Sequence, residues 1–205
     1  MASMSSDDVW LRCGGRLCLD FVNTLRNRAR VPRETLVVPE DLRRWLEWAG
    51  IAVTARPAAR DADALALARK LRDALDRAVL AAADGALPTP ADLAVLNSTA
   101  AAHPLPTPQL TVVNDKLAHT TTPAPAPADP AAGLALVAQD AVALLPSPEV
   151  RRVRVCGADD CAVRFVDRSP AHNRRWCSME RCGNRAKARR HVARTGRAPR
   201  ADGGG

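Results

Sequence analysis

Apolar positions over the first 145 residues recur mostly at helical spacing. Between Leu17 and Asn27, the residues Cys18, Phe21, Val22 and Leu25 share one face. The next segment is punctuated as a helix, with Pro39 first, Glu40 and Asp41 in the opening turn and Gly50 after the end. Its stripe is Leu42, Trp45, Leu46 and Ala49. A longer helix runs from Asp61 to Asp84 on Leu65, Ala68, Leu71, Leu75, Ala78 and Val79, with Gly85 as its left-handed stop. Thr89-Pro90-Ala91-Asp92 opens another helix, which His103-Pro104 closes. The period then shortens. Leu110 to Val113 and Lys116 to His119 read as a small β-hairpin turning at Asn114-Asp115. A stiff Pro/Ala loop over 122–130 leads to a last helix over 131–145 on Leu134, Val137, Ala141 and Leu145. No internal repeat is visible. The expected fold is mainly α, a helical N-terminal domain (1–147) with a small β-hairpin. A small C-terminal module (148–195) and a disordered tail (196–205) follow.

Composition permits such a core, at 47% hydrophobic and 25% charged, but four Trp, two Phe and no Tyr leave it to Ala, Leu and Val. Every apolar run is broken well before the roughly 18 residues of a membrane span. The opening MASMSSDDVWLRCGG lacks the basic-then-apolar order of a signal peptide, so a cytoplasmic protein with no membrane partner is expected. Charge changes the picture more. Residues 1–150 carry 15 basic and 17 acidic side chains, whereas 151–200 carry 15 basic and only 4 acidic. The break falls at Pro146-Ser147-Pro148. An arginine-rich coding bias would not segregate charge in this way, so the C-terminal part is marked for an anionic partner.

Four of the six cysteines explain why that part can fold. Cys156 and Cys161, then Cys177 and Cys182, form two C-x4-C pairs separated by fifteen residues. Each pair can be closed by one tight turn, and four thiolates suit a tetrahedral structural zinc ion. Gly157-Ala158-Asp159-Asp160 are turn formers for the first knuckle. Arg151 to Val155 and Ala162 to Val166 suit short strands, Ser169-Pro170 can start a helical turn, and the second pair leads into a basic helix through about Arg194. This order resembles treble-clef modules. About 45 residues hold too little apolar material to fold alone, and zinc supplies the missing stabilisation. Disulfides and an iron–sulfur cluster are the alternatives. His172 is read as a surface or outer histidine, and Phe165 and Trp176 as packing over the metal. Cys13 and Cys18 form a third C-x4-C pair more than 130 residues from the others; Cys18 reads as a buried small hydrophobe.

The stretch Arg174-Arg175-Trp176-Cys177-Ser178-Met179-Glu180-Arg181-Cys182-Gly183-Asn184-Arg185-Ala186-Lys187 resembles the signature of the CGNR zinc-finger family. Val153-Arg154-Val155-Cys156, Cys161 and Phe165-Val166-Asp167-Arg168-Ser169 look like the same family. Leu17-Cys18-Leu19-Asp20-Phe21-Val22-Asn23-Thr24 is similar to the opening of the ABATE domain, the usual companion of this finger. The resemblance covers most of the chain. It implies a helical N-terminal domain joined to a zinc-binding, DNA-binding finger in a stress-induced transcription regulator, with the four cysteines at the family's metal positions.

On the basic segment, Arg174, Arg175, Arg181, Arg185, Lys187, Arg189, Arg190 and Arg194 are the candidate nucleic-acid contacts. Gly183 inside a helix costs about 1 kcal/mol relative to Ala, so Asn184 is an alternative N-cap. A single finger buries limited area, which leaves room for a homodimer or a second contact. Asp20, Asn23, Arg26 and Arg28 are candidate pocket residues, against the plainer reading of a wet helix face. No phosphate loop, H-E-x-x-H or G-x-S-x-G is present, so no enzyme is expected. The leading expectation is a DNA-binding regulator whose N-terminal domain senses a small molecule or dimerises. The alternatives are an RNA-binding module and a zinc-shaped protein-interaction surface.

Overall fold

A computed structural model describes residues 10–104, 107–122 and 126–195. The tail expected to be disordered, 196–205, and part of the Pro/Ala loop lie outside these residues. Among the described residues five helices make the body: α1 Leu17–Val22, α2 Pro39–Trp48, α3 Asp61–Asp84, α4 Pro90–Ala100 and α5 Pro130–Leu144. Their ends follow local chemistry. The Asp41 carboxylate accepts the Val37 and Val38 N–H groups at 2.9 and 3.0 Å, Thr89 caps Asp92, and Asp129 caps Ala132. Gly85, at φ 87°, gives α3 its left-handed stop.

The core lies where α3 packs against the other four helices. Its face of Ala68, Leu71, Leu75, Ala78 and Val79 is buried, and Phe21 meets Trp45 edge-on with ring centroids 4.8 Å apart. Each such large side chain contributes about 1.5–3 kcal/mol on burial.

The first helix is shorter than its periodicity predicts. Leu25 does not continue it but enters β1 (Leu25–Arg26), antiparallel to β2 (Arg33–Glu34). The Thr24 hydroxyl donates back to the Phe21 carbonyl at 2.7 Å, and Asn27 takes a positive φ of 55°. Local polar bonds therefore end the helix where apolar spacing alone would carry it on. The hairpin forms as expected but extends further at each end, as β3 (Thr107–Val113) and β4 (Lys116–Thr122). Asn114 and Asp115 both have positive φ, as a two-residue turn with matching strand twist requires.

The C-terminal module follows without a gap. A 3-10 helix, Pro148–Arg152, feeds β5 (Val153–Val155), which pairs antiparallel with β6 (Arg164–Val166). The segment at Ser169 makes a single turn, with the His172 N–H donating to the Ser169 carbonyl at 3.1 Å. A π-helical turn, Met179–Gly183, runs on into α6 (Asn184–Thr195). The α-helix proper starts at Asn184, but Asn184 has helical angles (φ −66°, ψ −39°) and continues the widened turn through Gly183 rather than capping a new helix.

Body and module share their interior. Val150, Val153 and Val166 belong to the helical core, while Leu11 and Cys13 pack into the cysteine cluster. The Asn23 side chain pairs reciprocally with the Arg164 backbone, 2.9 Å in each direction. Asp76 on α3 accepts from the Arg164 guanidinium at 2.7 and 3.0 Å and pairs with Arg28 at 3.3 Å. Glu149 bridges Arg16 and Arg168. Among the described residues no helix is long and apolar enough to cross a membrane.

Candidate metal centre and basic surface

The β5–β6 hairpin delivers the first cysteine pair. The Cys156 N–H extends the ladder to the Val163 carbonyl at 2.8 Å, and the Cys161 N–H closes the knuckle on the Ala158 carbonyl at 3.1 Å. The second pair comes from the helix start. Ser178 accepts the Arg181 N–H on its hydroxyl, and its carbonyl accepts the N–H groups of Cys182 and Gly183. Gly183 packs closely against the exposed end of Met179 and the Trp176 ring. A Cβ there would lie 2.7 Å from the Met179 sulfur and 3.3 Å from the Trp176 ring.

All four sulfurs lie within 4.8 Å of one another and all four residues are buried. Cys161 and Cys177 are 3.7 Å apart at sulfur, and Cys177 and Cys182 are 3.6 Å apart. A tetrahedron with Zn–S near 2.3 Å has S···S edges of about 3.8 Å, so the spacing fits one zinc ion. The protons point the same way. The thiols hydrogen-bond to one another, which holds Cys156 well below and pushes Cys161 well above the usual thiol range. Four thiols this close cannot share charge comfortably without a cation. Donors already face the thiolates: the Cys177 N–H reaches the Cys156 sulfur at 3.4 Å, and Arg185 reaches the Cys182 sulfur at 3.4 Å. These residues hold one structural zinc ion, whose role is to fix the knuckle against the start of α6.

The loop between the pairs is organised by Asp167, which is fully buried. Its carboxylate accepts the Ser169 N–H and hydroxyl at 2.9 and 2.6 Å and the Arg174 N–H at 2.9 Å. His172 is exposed and outside the metal cluster, and Phe165 is fully buried, as the sequence predicts. Trp176 is half-buried beside Gly157 and Gly183.

The structure divides the candidate cations. Arg174 lies over the Phe165 ring at 4.6 Å and donates to the Trp176 carbonyl at 2.8 Å and to the Cys177 carbonyl. Arg185 and Arg189, one helical turn apart, both reach the first knuckle. Arg185 pairs with Asp160 at 3.2 Å, and Arg189 pairs with Asp159 at 3.3 Å and Asp160 at 3.0 Å. Arg175 stacks over Trp176 at 5.3 Å and stays exposed. Arg181, Lys187 and Arg190 are exposed and make no ion pair among the described residues. The side chain of Arg194 lies outside the described residues.

Two features escape sequence reasoning. Asp159 and Asp160 were legible as turn formers, yet they also neutralise two helix arginines. The available signal was the four-residue spacing of Arg185 and Arg189. Cys13 does not act as a partner of Cys18 in space: it sets a fifth thiol against Cys177, and that contact lowers its own proton affinity. Cys18 is fully buried in the helical core, with its thiol pushed up by burial. Of the N-terminal pocket candidates, Asn23, Arg28 and Asp20 serve structural contacts; Asp20 accepts the Gly14 N–H at 2.8 Å. Arg26 is half-buried.

Comparison with known proteins agrees with this layout. The ABATE family model, described as "Putative stress-induced transcription regulator", matches residues 15–148, and the CGNR zinc finger model matches residues 152–195. A search of curated proteins finds no match.

Proposed function

From the premise that the chain belongs to the ABATE family and carries a CGNR zinc finger, we propose that it is a DNA-binding transcription regulator. The observation that carries this reading is the metal cluster at the start of α6. It holds rigid a surface on which Arg175, Arg181, Lys187 and Arg190 keep exposed cationic heads. Such a surface neutralises phosphates with release of counterions. Arg181 and Arg190 have the fork geometry that reads guanine in a major groove. Arg185, Arg189 and Arg174 contribute by stiffening the surface, because their guanidinium groups already bind the knuckle and its carbonyls. Four thiolates close the coordination sphere and leave no position for a reactive water, so zinc acts structurally and no catalysis is assigned.

Buried Phe165 and half-buried Trp176 offer poor platforms for stacking unpaired bases, which favours duplex DNA over single-stranded RNA. The test is equilibrium binding to duplex DNA and to RNA across a salt series, with and without zinc removal. Duplex binding with a log–log salt slope of about −3 to −4 is expected if the four exposed cations each meet a phosphate, and chelation is expected to abolish it. Tighter binding to RNA selects an RNA-binding module. No binding at low salt selects a protein-interaction surface.

A further inference from the structure

The helical body has a cavity of about 580 Å³, open on one side, where the end of α3, the face of α4 and the end of α5 meet the segment leading into the finger. That volume lies within the roughly 300–1,000 Å³ of small-molecule sites. Its walls are apolar, and Leu87, Leu93 and Val142 are solvent-exposed along it, with Leu96 and Val150 forming a buried floor. Two polar groups edge this surface, the Asn97 amide and the Arg151 guanidinium. Neither side chain has a hydrogen-bond or ion-pair partner among the described residues. Arg151, exposed to solvent, lies beside the end of α3: a Cβ on Gly85 would come 2.6 Å from its Nη1. An apolar trough with one unpaired cation and one amide at its edge complements a molecule with a hydrocarbon body and a single carboxylate.

We propose that this cavity is an effector site for a small amphipathic carboxylic acid, with Arg151 binding the carboxylate and Asn97 donating a further hydrogen bond. Arg151 belongs to the 3-10 helix that runs into β5, and Cys156 ends that run five positions later. Occupancy therefore acts on the strand that carries the first zinc ligand. This coupling rests on the DNA-binding reading; the binding itself does not.

The test is calorimetric titration of the zinc-loaded full chain with decanoate and with decanol, both below their aggregation concentrations. Decanoate is expected to bind once per chain and more tightly than decanol. Arg151→Gln is expected to weaken decanoate about tenfold or more and leave decanol unchanged. Leu93→Glu, at an exposed position that the fold does not need buried, is expected to remove binding of both. Equal affinity for acid and alcohol, insensitivity to both variants, or no binding at about 1 mM would overturn the proposal. So would a dimer that Leu93→Glu dissociates and decanoate cannot enter, since that would assign the trough to a second copy. No nucleic acid is present in the titration, so an empty cavity leaves the DNA-binding reading standing. Failure to bind DNA likewise leaves the site standing.

Discussion

In the helical body, α3 alone buries ten residues against four neighbouring helices. The finger's interior is four cysteines with Ala158, Val163 and Phe165, and it takes in Leu11 from the body. The first region is held by area removed from water, the second by a metal ion and by walls it shares. The module binds the body through polar groups that must be satisfied, Asn23 to the Arg164 backbone and Asp76 to its guanidinium. The contrast shows how a segment with little apolar material can present a dense cationic surface without collapsing or unfolding. Rigidity comes from coordination rather than from side chains that a charged surface cannot spare.

The largest expected effect separates the two regions. Cys177→Ser, or chelation, removes stabilisation on the order of 10 kcal/mol from the module. Hydrogen exchange should then show protection lost over 153–195 and kept in α3. Loss of protection throughout would mean that the regions fold as one unit. Conversely, Leu75→Ala is expected to cost the whole protein about 2–5 kcal/mol in chemical denaturation, with zinc stoichiometry unchanged in the folded fraction. Asn23→Ala tests the seam. It strands the buried N–H and carbonyl of Arg164, at about 1–3 kcal/mol for each group, and should loosen the finger without releasing zinc. An unchanged exchange profile would show that the seam is held elsewhere.

The smallest effect concerns pH, and its sign differs between the regions. Burial raises the Asp20 carboxyl to about 6, so the folded state takes up its proton more readily than the unfolded chain. That contribution is complete below about pH 4 and is lost as pH rises through 6. Asp167 runs the other way. Its bonds to Ser169 hold it below the usual carboxylate range, so its contribution is present near neutrality and fades as pH falls below about 4. Denaturant midpoints of Asp20→Asn against the parent should therefore converge as pH is lowered from 7 to 4. A constant difference would contradict the burial of Asp20.

Much of this was legible in the chain because the signals were local. Pro39, Gly85 and Thr89 mark helix ends through backbone chemistry, Asn114-Asp115 fixes a hairpin, and two C-x4-C pairs state a coordination number. The metal centre was readable for the same reason. What spacing could not supply was partnership across distance. Leu25 keeps the helical period yet leaves the helix to pair with Glu34 in β2, and its neighbour Asn23 binds the Arg164 backbone 141 residues away. Arg185 and Arg189 look identical to Arg190 in sequence, and only the folded knuckle shows that two aspartates hold the first two. Cys13 reads as half of a local pair until the fold sets it beside Cys177.

The most direct test of the account is a zinc titration of the metal-free protein, with duplex DNA affinity followed at fixed low salt. The account predicts that affinity appears in step with the first equivalent of zinc and saturates there, and that Cys177→Ser never acquires it. Full DNA affinity in the metal-free protein, or in Cys177→Ser, would contradict the claim that the four-thiolate site organises the basic surface.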